Sequence, residues 1–160
     1  MLTIRPCRPD DNAVIWDLHV TLMKQVGAYL GDGPWDDDLR DIQGAYFDRG
    51  GCFLVGEVGG HVVAMGAFRR DTPTRAEIKR MRTHLDYQGR GFGKAILAAL
   101  EAEAIRQGYD TLFMETSVVQ HAAQHLYLSQ GYVETHRGKV QHLDCIWFEK
   151  RLNGSAAPGE

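Results

Sequence analysis

Residues 76–94 read AEIKRMRTHLDYQGRGFGK, and no other stretch restricts the fold as strongly. Residues 76–84 alternate in the manner of a strand. A glycine-rich turn follows over residues 88–94, and an amphipathic helix opens with Ala95, Ile96 and Leu97. A strand, a glycine turn and a helix N-terminus in that order make an anion trap, because backbone N–H groups are exposed there and the helix dipole adds partial positive charge. Gly89, Gly91 and Gly93 let the backbone approach a phosphate closely and adopt φ > 0. Arg90 and Lys94 add full charges. The expectation is a phosphorylated ligand; the plain alternative is an ordinary strand-to-helix turn with glycines for geometry.

Three glycine motifs compete for this turn. A Walker A loop needs Gly, four residues, then Gly-Lys-Ser/Thr. Gly93-Lys94 fits, but Gln88 and Ala95 stand where the first glycine and the magnesium-binding hydroxyl belong. A dinucleotide fingerprint needs Gly-x-Gly-x-x-Gly. Gly89 and Gly91 fit, but Lys94 takes the third place and no clear βαβ unit precedes it. The third motif, Gln/Arg-x-x-Gly-x-Gly/Ala, matches at Gln88, Gly91 and Gly93. With the preceding EIKRM…HLDYQGRGFG stretch, the chain resembles the GCN5-related N-acetyltransferases (GNAT), in which this hexapeptide is the acetyl-CoA pyrophosphate loop.

At 160 residues the chain has the size of one domain with a real core, expected over residues 1–152, with a small polar tail at 153–160 expected to be disordered. The hydrophobic share of 44% and charged share of 24% are ordinary for a soluble globular protein. No apolar run approaches the roughly 20 residues that span a bilayer, and the first residues read as a short strand, not a signal peptide. Cys7, Cys52 and Cys145 are odd in number and form no CxxC, which fits reduced thiols and a cytoplasmic location. A formal net charge of −3 argues against general nucleic-acid binding.

Hydrophobic periodicity and turn residues predict strands at 2–5, 52–58, 61–68, 76–84, 109–117, 132–136 and 144–151. They predict helices after Asp10 or Asp11 (with Val14, Ile15, Leu18 and Leu22 on one face), from 36 to about 46, from 93 to 107, and from 120 to 130. Gly59-Gly60 signals a hairpin, and Gly108 and Gly131 stop helices. The order βααβββαβαββ is mixed α/β, with about four helices covering a largely antiparallel sheet of about six to seven strands. It agrees with the GNAT order over residues 2–152.

The resemblance implies acetyl transfer from acetyl-CoA, as co-substrate, to a primary amine. A lysine-like amine with a pKa of about 10.4 needs roughly 4.6 kcal/mol to deprotonate at pH 7, so a general base is wanted, with a backbone N–H for the oxyanion and a donor for the departing thiolate. By resemblance Glu77 is the first candidate base and Glu115 the second. The alternative for each is a solvated or salt-bridged strand carboxylate, and alternation does not settle which face either uses. Tyr127 is the candidate acid, because AQHLYLSQGY over residues 123–132 resembles the family's A-x-x-L-Y-x-x-x-G-F/Y helix; the alternative is an aromatic packed beside Leu126. The resemblance further implies cofactor contacts from Gln88, Gly89, Arg90, Gly91, Phe92, Gly93 and Lys94. Met81 and Thr83 would contribute backbone groups at a strand bulge, with Arg82 between them. Gln120 stands where the family often has asparagine.

His121 and His125 lie four apart on a helix, but Ala122 replaces the Glu of a zincin, and surface or capping roles are expected instead of a metal. Asp32, Asp36, Asp37, Asp38 and Asp41 surround Trp35. They read as a helix cap and solvated face, or as an acidic wall that draws a cationic amine. Two functional readings follow. One is a cytoplasmic N-acetyltransferase working by direct transfer, with a small amine or amino acid favoured over a protein lysine or N-terminus. The other is a non-catalytic acyl-CoA-binding sensor. The resemblance allows a homodimer, with residues 145–148 serving an interface or merely the sheet.

Overall fold

Seven strands form one sheet in the order β1-β2-β3-β4-β5-β7-β6. The structure is a computed structural model that describes residues 1–152; the tail expected at 153–160 lies outside the described residues. The strands are β1 (Thr3–Pro6), β2 (Cys52–Val58), β3 (His61–Thr72), β4 (Arg75–Thr83), β5 (Thr111–Ser117), β6 (Val133–Val140) and β7 (Leu143–Arg151). The helices are α1 (Asn12–Gln25), α2 (Asp37–Arg40), α3 (Ile42–Ala45), α4 (Phe92–Arg106) and α5 (His121–Ser129). All neighbouring strands are antiparallel except β4 and β5, which run parallel with α4 as their crossover.

Alternation along the strands divides the core into two layers. Leu54, Ala64, Phe68, Ala76, Ile78, Leu112, Met114, Ile146 and Phe148 pack on one face, against Ile96, Leu97 and Leu100 of α4 and Tyr127 of α5. Phe53, Val55, Met65 and Ala67 pack on the other, against Ile15, Leu18 and Leu22 of α1 and Leu39 and Ile42 of α2 and α3. Burying large aliphatic and aromatic side chains in this way contributes about 1.5–3 kcal/mol each.

The helix expected over 36–46 is broken in two. Asp41 leaves helical geometry (φ −147°, ψ 71°), and its carboxylate accepts a hydrogen bond from the Gly44 N–H at 3.1 Å. An aspartate can cap a new helix or continue an old one, and here capping wins. Asp11 does not cap α1 with its side chain; that carboxylate receives the Arg8 N–H at 2.7 Å and both terminal nitrogens of Arg5. β3 and β6 extend beyond their expected ends, to Thr72 and Val140, because pairing with β4 and β7 overrides weak local propensity.

Two irregularities of β4 position the site. The parallel ladder to β5 holds only at Arg75↔Thr111, Ala76↔Leu112 and Glu77↔Phe113. Past Glu77 the two strands part, while β5 goes on pairing with β7 as far as Ser117. A wedge opens, edged on the β4 side by backbone that has left its ladder partner. The second irregularity is a bulge: Arg82 pairs with Met65 and Lys79 with Ala67, so Arg80 and Met81 together oppose Gly66. Arg80 carries the strain, at φ +63°. A Cβ on Gly66 would meet Met81 Sδ at 2.5 Å and Ile96 Cγ2 at 2.7 Å, so only glycine fits opposite the bulge. The extra residue changes the strand's parity. Ala76, Ile78 and Met81 face α4, whereas Arg80 and Arg82 reach His19 of α1.

Candidate active site

The wedge leads into two adjoining cavities, one of about 480 Å³ on the α1 side and one of about 650 Å³ beneath the glycine turn. Met81, Arg82, Gln120, Ala123 and Tyr127 line both, and so mark where the cavities meet.

The larger cavity holds the glycine turn. Met81, Thr83, Gln88, Gly89, Gly91, Phe92, Gly93 and Lys94, residues to which the resemblance assigns cofactor contacts, all line it. Gly91 is the residue before α4 and adopts φ +81°, which L side chains resist. The first helical hydrogen bond runs from Ala95 N–H to Gly91 C=O at 3.0 Å, so the amides of residues 92–94 are left for a ligand. Gly93 lies inside the helix, and its need is for space: a Cβ there would approach Leu126 Cδ2 to 3.3 Å. The Gln88 amide donates to Thr83 C=O at 3.0 Å and closes the turn. Arg90 is not in the wall; its guanidinium lies 5.0 Å over the ring of Tyr87, which is. Tyr87 in turn stacks on Phe92, 6.1 Å between centroids. Tyr87 and His125 are wall residues that the sequence reading did not assign to the cofactor. For His125 the available signal was helical spacing, which sets it on one face of α5 with Ala122, Leu126 and Ser129, all of which line the cavity.

Tyr127 stands at the junction. It is buried, packs on Tyr132 and Phe148 at 5.9 Å each, and its hydroxyl makes no hydrogen bond among the described residues. Burial pushes its pKa up to about 12, opposed by the charge of Arg82. The phenol therefore keeps its proton throughout the neutral range. Gln120 uses its side-chain carbonyl internally, accepting from Thr116 Oγ1 and Ser117 N–H at 3.0 Å each.

The smaller cavity contains both candidate bases. Glu77 is ion-paired with Arg69 at 3.2 Å. Glu115 has no ion-pair or hydrogen-bond partner among the described residues. Burial raises its pKa, with Lys79 and Arg69 pulling it down and Glu77 pushing it further up. Cys145 also lines this cavity, and burial followed by the nearby Glu115 raises its thiol pKa, so it is no thiolate nucleophile at neutral pH.

The acidic cluster around Trp35 divides. Asp37 is exposed beside Arg40, and Asp41 caps α3. Asp36 and Asp38 are not a solvated face: they hold the buried guanidinium of Arg80. Arg80 Nε donates to Asp38 at 3.0 Å, Nη1 to Asp36 at 3.1 Å, and Nη2 to Trp35 C=O at 2.8 Å and to the second oxygen of Asp38. The Tyr46 hydroxyl also donates to Asp38. His19 Nε2 lies 2.9 Å from Asp36. Burial, then Arg82 and Arg80, push the His19 pKa down to about 4, so the ring is neutral near pH 7. This network fixes the loop before α2 against the bulge of β4. No spacing rule in the sequence links Arg80 to residues some forty positions earlier.

The sequence model of the Acetyltransferase (GNAT) family matches residues 11–132. Human N-acetyltransferase 8 is 32% identical over 133 residues, covering 74% of this chain and 57% of its own length. N-acetylaspartate synthetase of Xenopus tropicalis is 33% identical over 128 residues, covering 72% and 46%. The chain thus spans about half the length of the curated relatives it matches. A GNAT acetyltransferase of Staphylococcus aureus Mu50 superposes with a TM-score of 0.88 at 19% identity, over 96% of this chain and all of that one. A putative acetyltransferase of Salmonella typhimurium, solved with its cofactor acetyl-CoA, superposes with a TM-score of 0.78 at 24% identity, over 99% and 98%. The family match covers the bulged strand, the glycine turn, α4 and the Tyr127 helix together, and the chain belongs to the GNAT acetyltransferase family.

Proposed function

We propose that the protein is an N-acetyltransferase that moves the acetyl group of acetyl-CoA to a primary amine by direct transfer. The observation that carries this reading is the meeting of the two cavities at Tyr127, whose hydroxyl has no protein partner among the described residues. The larger cavity suits the cofactor: the amides of residues 92–94 and Lys94 meet the pyrophosphate, and the pantetheine arm follows the freed edge of β4 past Thr83 and Met81. Its thioester then reaches the junction, where the acceptor enters from the smaller cavity. The relative named for N-acetylaspartate makes an N-acetyl amino acid, which supports a small molecule or amino acid as acceptor over a protein lysine.

Glu115 takes the base role in this scheme. Glu115 is unpaired and half-buried with a raised pKa, and so stands free to take a proton, whereas the carboxylate of Glu77 is held by Arg69. The base draws a proton from the ammonium, the free amine attacks the thioester carbon, and the oxyanion is met by backbone N–H groups of the β4 bulge. As the C–S bond breaks, the attacking nitrogen gives up its second proton, which reaches the departing CoA sulfur through solvent to leave the free thiol, and Tyr127 donates a hydrogen bond to that sulfur. With its pKa near 12, full proton transfer to a thiol of pKa about 8.5 runs uphill, so stabilisation by hydrogen bonding is its main contribution.

The test is CoA-thiol release from acetyl-CoA across amines, amino acids, aminoglycosides and lysine peptides, paired with calorimetry of acetyl-CoA binding. Turnover of a defined acceptor class is expected. Acetyl-CoA binding with silence across all classes would replace the enzyme by an acyl-CoA-binding module.

A further inference from the structure

Arg82 is the one cation that lines both cavities, and it lacks an acidic partner among the described residues. The other arginines nearby are held: Arg80 by Asp36 and Asp38, Arg69 by Glu77. Arg82 Nη1 donates only to the carbonyl of the adjacent Met81, at 2.8 Å. Its Nη2 lies 3.5 Å from Nδ1 of His19. Its Nε is sealed from solvent and has no hydrogen-bond partner at all among the described residues. Such an orphaned donor on a charged group is expensive to bury.

His19 explains how the guanidinium is aimed. Its Nε2 at 2.9 Å from Asp36 is the better-placed donor, so Nε2 carries the hydrogen and Nδ1 presents a lone pair to Arg82. A neutral histidine thus orients Arg82 without neutralising it. Asp36, the nearest acid in the network, is already shared by His19 and Arg80. The planar fork of an arginine matches a carboxylate in a way no neutral group does. Lys79, in the same cavity, likewise has no ion-pair partner among the described residues.

We propose that Arg82 anchors a carboxylate of the acceptor, so that the acetylated amine belongs to an amino-acid-like molecule with its carboxylate one or two carbons from the nitrogen. The short spacing follows from place. Arg82 lines both cavities beside Tyr127, so an anion held there lies next to the reacting centre. The phosphates of CoA belong at the glycine turn, where Lys94 and the α4 amides meet them. His19 is the positioning residue for this contact. The inference rests on the acetyltransferase reading for its chemistry but not for its binding test.

That test has two arms. In the first, calorimetry in the presence of CoA compares N-acetyl amino acids with their carboxamides, for the wild type, Arg82→Met and Arg82→Lys. The wild type should bind the acids about 10- to 100-fold more tightly than the amides, Arg82→Met should erase the difference, and Arg82→Lys should restore part of it. This arm reads the site even if no acceptor turns over. In the second, CoA-thiol release is followed for amino acids, their amides and the matching decarboxylated amines. The acid-to-amide ratio of kcat/KM should collapse towards one in Arg82→Met, chiefly through KM. Equal binding of acids and amides by the folded wild type overturns the proposal. So does an Arg82→Met variant that weakens acetyl-CoA binding, or slows every acceptor alike, since either would assign Arg82 to the cofactor or to the transferring acetyl group.

Discussion

Replacing Arg80 with methionine is the sharpest test of how the wall of the smaller cavity is held together. The substitution keeps the stem that fills the space and deletes the charge and the donors to Asp36, Asp38 and Trp35. Both residues have a Cβ, so the left-handed backbone at this position is equally strained in the two proteins and cancels from the difference. What remains is a pair of carboxylates, almost wholly out of solvent, that have lost their cation. Breaking a buried ion pair from one side costs about 3–5 kcal/mol. At about 2–4 °C per kcal/mol for a domain of this size, the melting temperature should fall by roughly 6–20 °C. Tyr46 and His19 still donate to Asp38 and Asp36, which favours the lower half of that range. Urea unfolding of the wild type, Arg80→Met, Asp38→Asn and the double variant closes a cycle, with an expected coupling of about 1–3 kcal/mol. Strictly additive losses, or a melting temperature unmoved in Arg80→Met, would refute the claim that Arg80 and the two aspartates form one unit.

Four further outcomes are expected. Tyr127→Phe should lower kcat by about 100-fold, the scale of one lost hydrogen bond to a charge that develops in the transition state, while leaving acetyl-CoA affinity and unfolding nearly unchanged because the hydroxyl bonds none of the described residues; an unchanged kcat removes Tyr127 from the chemistry. Gly91→Ala should cost about 1–2 kcal/mol in stability from backbone strain alone, since its Cβ meets no atom within 4 Å, and Gly91→Glu should in addition weaken acetyl-CoA binding by about 100-fold through charge repulsion, as read by calorimetry. The acid limb of kcat/KM should lie above the usual carboxylate range, and Glu115→Gln should abolish it while Glu77→Gln retains it; the reverse pattern would return the base role to Glu77. His19 is held neutral, with its pKa lowered in the fold, so its contribution to stability is complete above an unfolded value of about 6.5 and is lost as pH falls towards about 4; the slope of melting temperature against pH in that window should flatten in His19→Gln, and equal slopes would count against it.

The parts of the molecule that local chemistry dictates were readable in the sequence. The glycine turn between a strand and a helix carries the residue pattern of an anion site, and Gln88, Gly91, Gly93 and Lys94 all line the larger cavity. The hairpin at Gly59-Gly60 and the stop at Gly108 follow from residues that accept positive φ. What was not readable depends on contacts across long stretches of chain. The bulge near Met81 was expected only by resemblance; its trace in the sequence is the pair of successive polar residues Lys79 and Arg80, and the neighbours that crowd it, Gly66 of β3 and Ile96 of α4, lie far along the chain. Asp36 and Asp38 read as a cap and a wet surface for the same reason: their partner is on β4, and a carboxylate that meets a buried guanidinium is spelled like one that meets water.

The two irregularities of β4 solve one problem together. A parallel ladder that ran on past Glu77 would close the wedge and leave no room for a ligand between β4 and β5. Parting the strands frees backbone donors for a cofactor but removes the bonds that would keep β4 in place. The bulge supplies the replacement. By adding a residue it turns Arg80 towards α1, where Asp36, Asp38 and the Trp35 carbonyl grip it. It also turns Arg82 to the same side, against His19. The strand is thus tied to the loop before α2 by side chains at the point where its backbone lets go of β5. One inserted residue fixes the wall of the wedge through Arg80 and sets Arg82 at the junction of the two cavities, so that a single local departure from strand geometry shapes both.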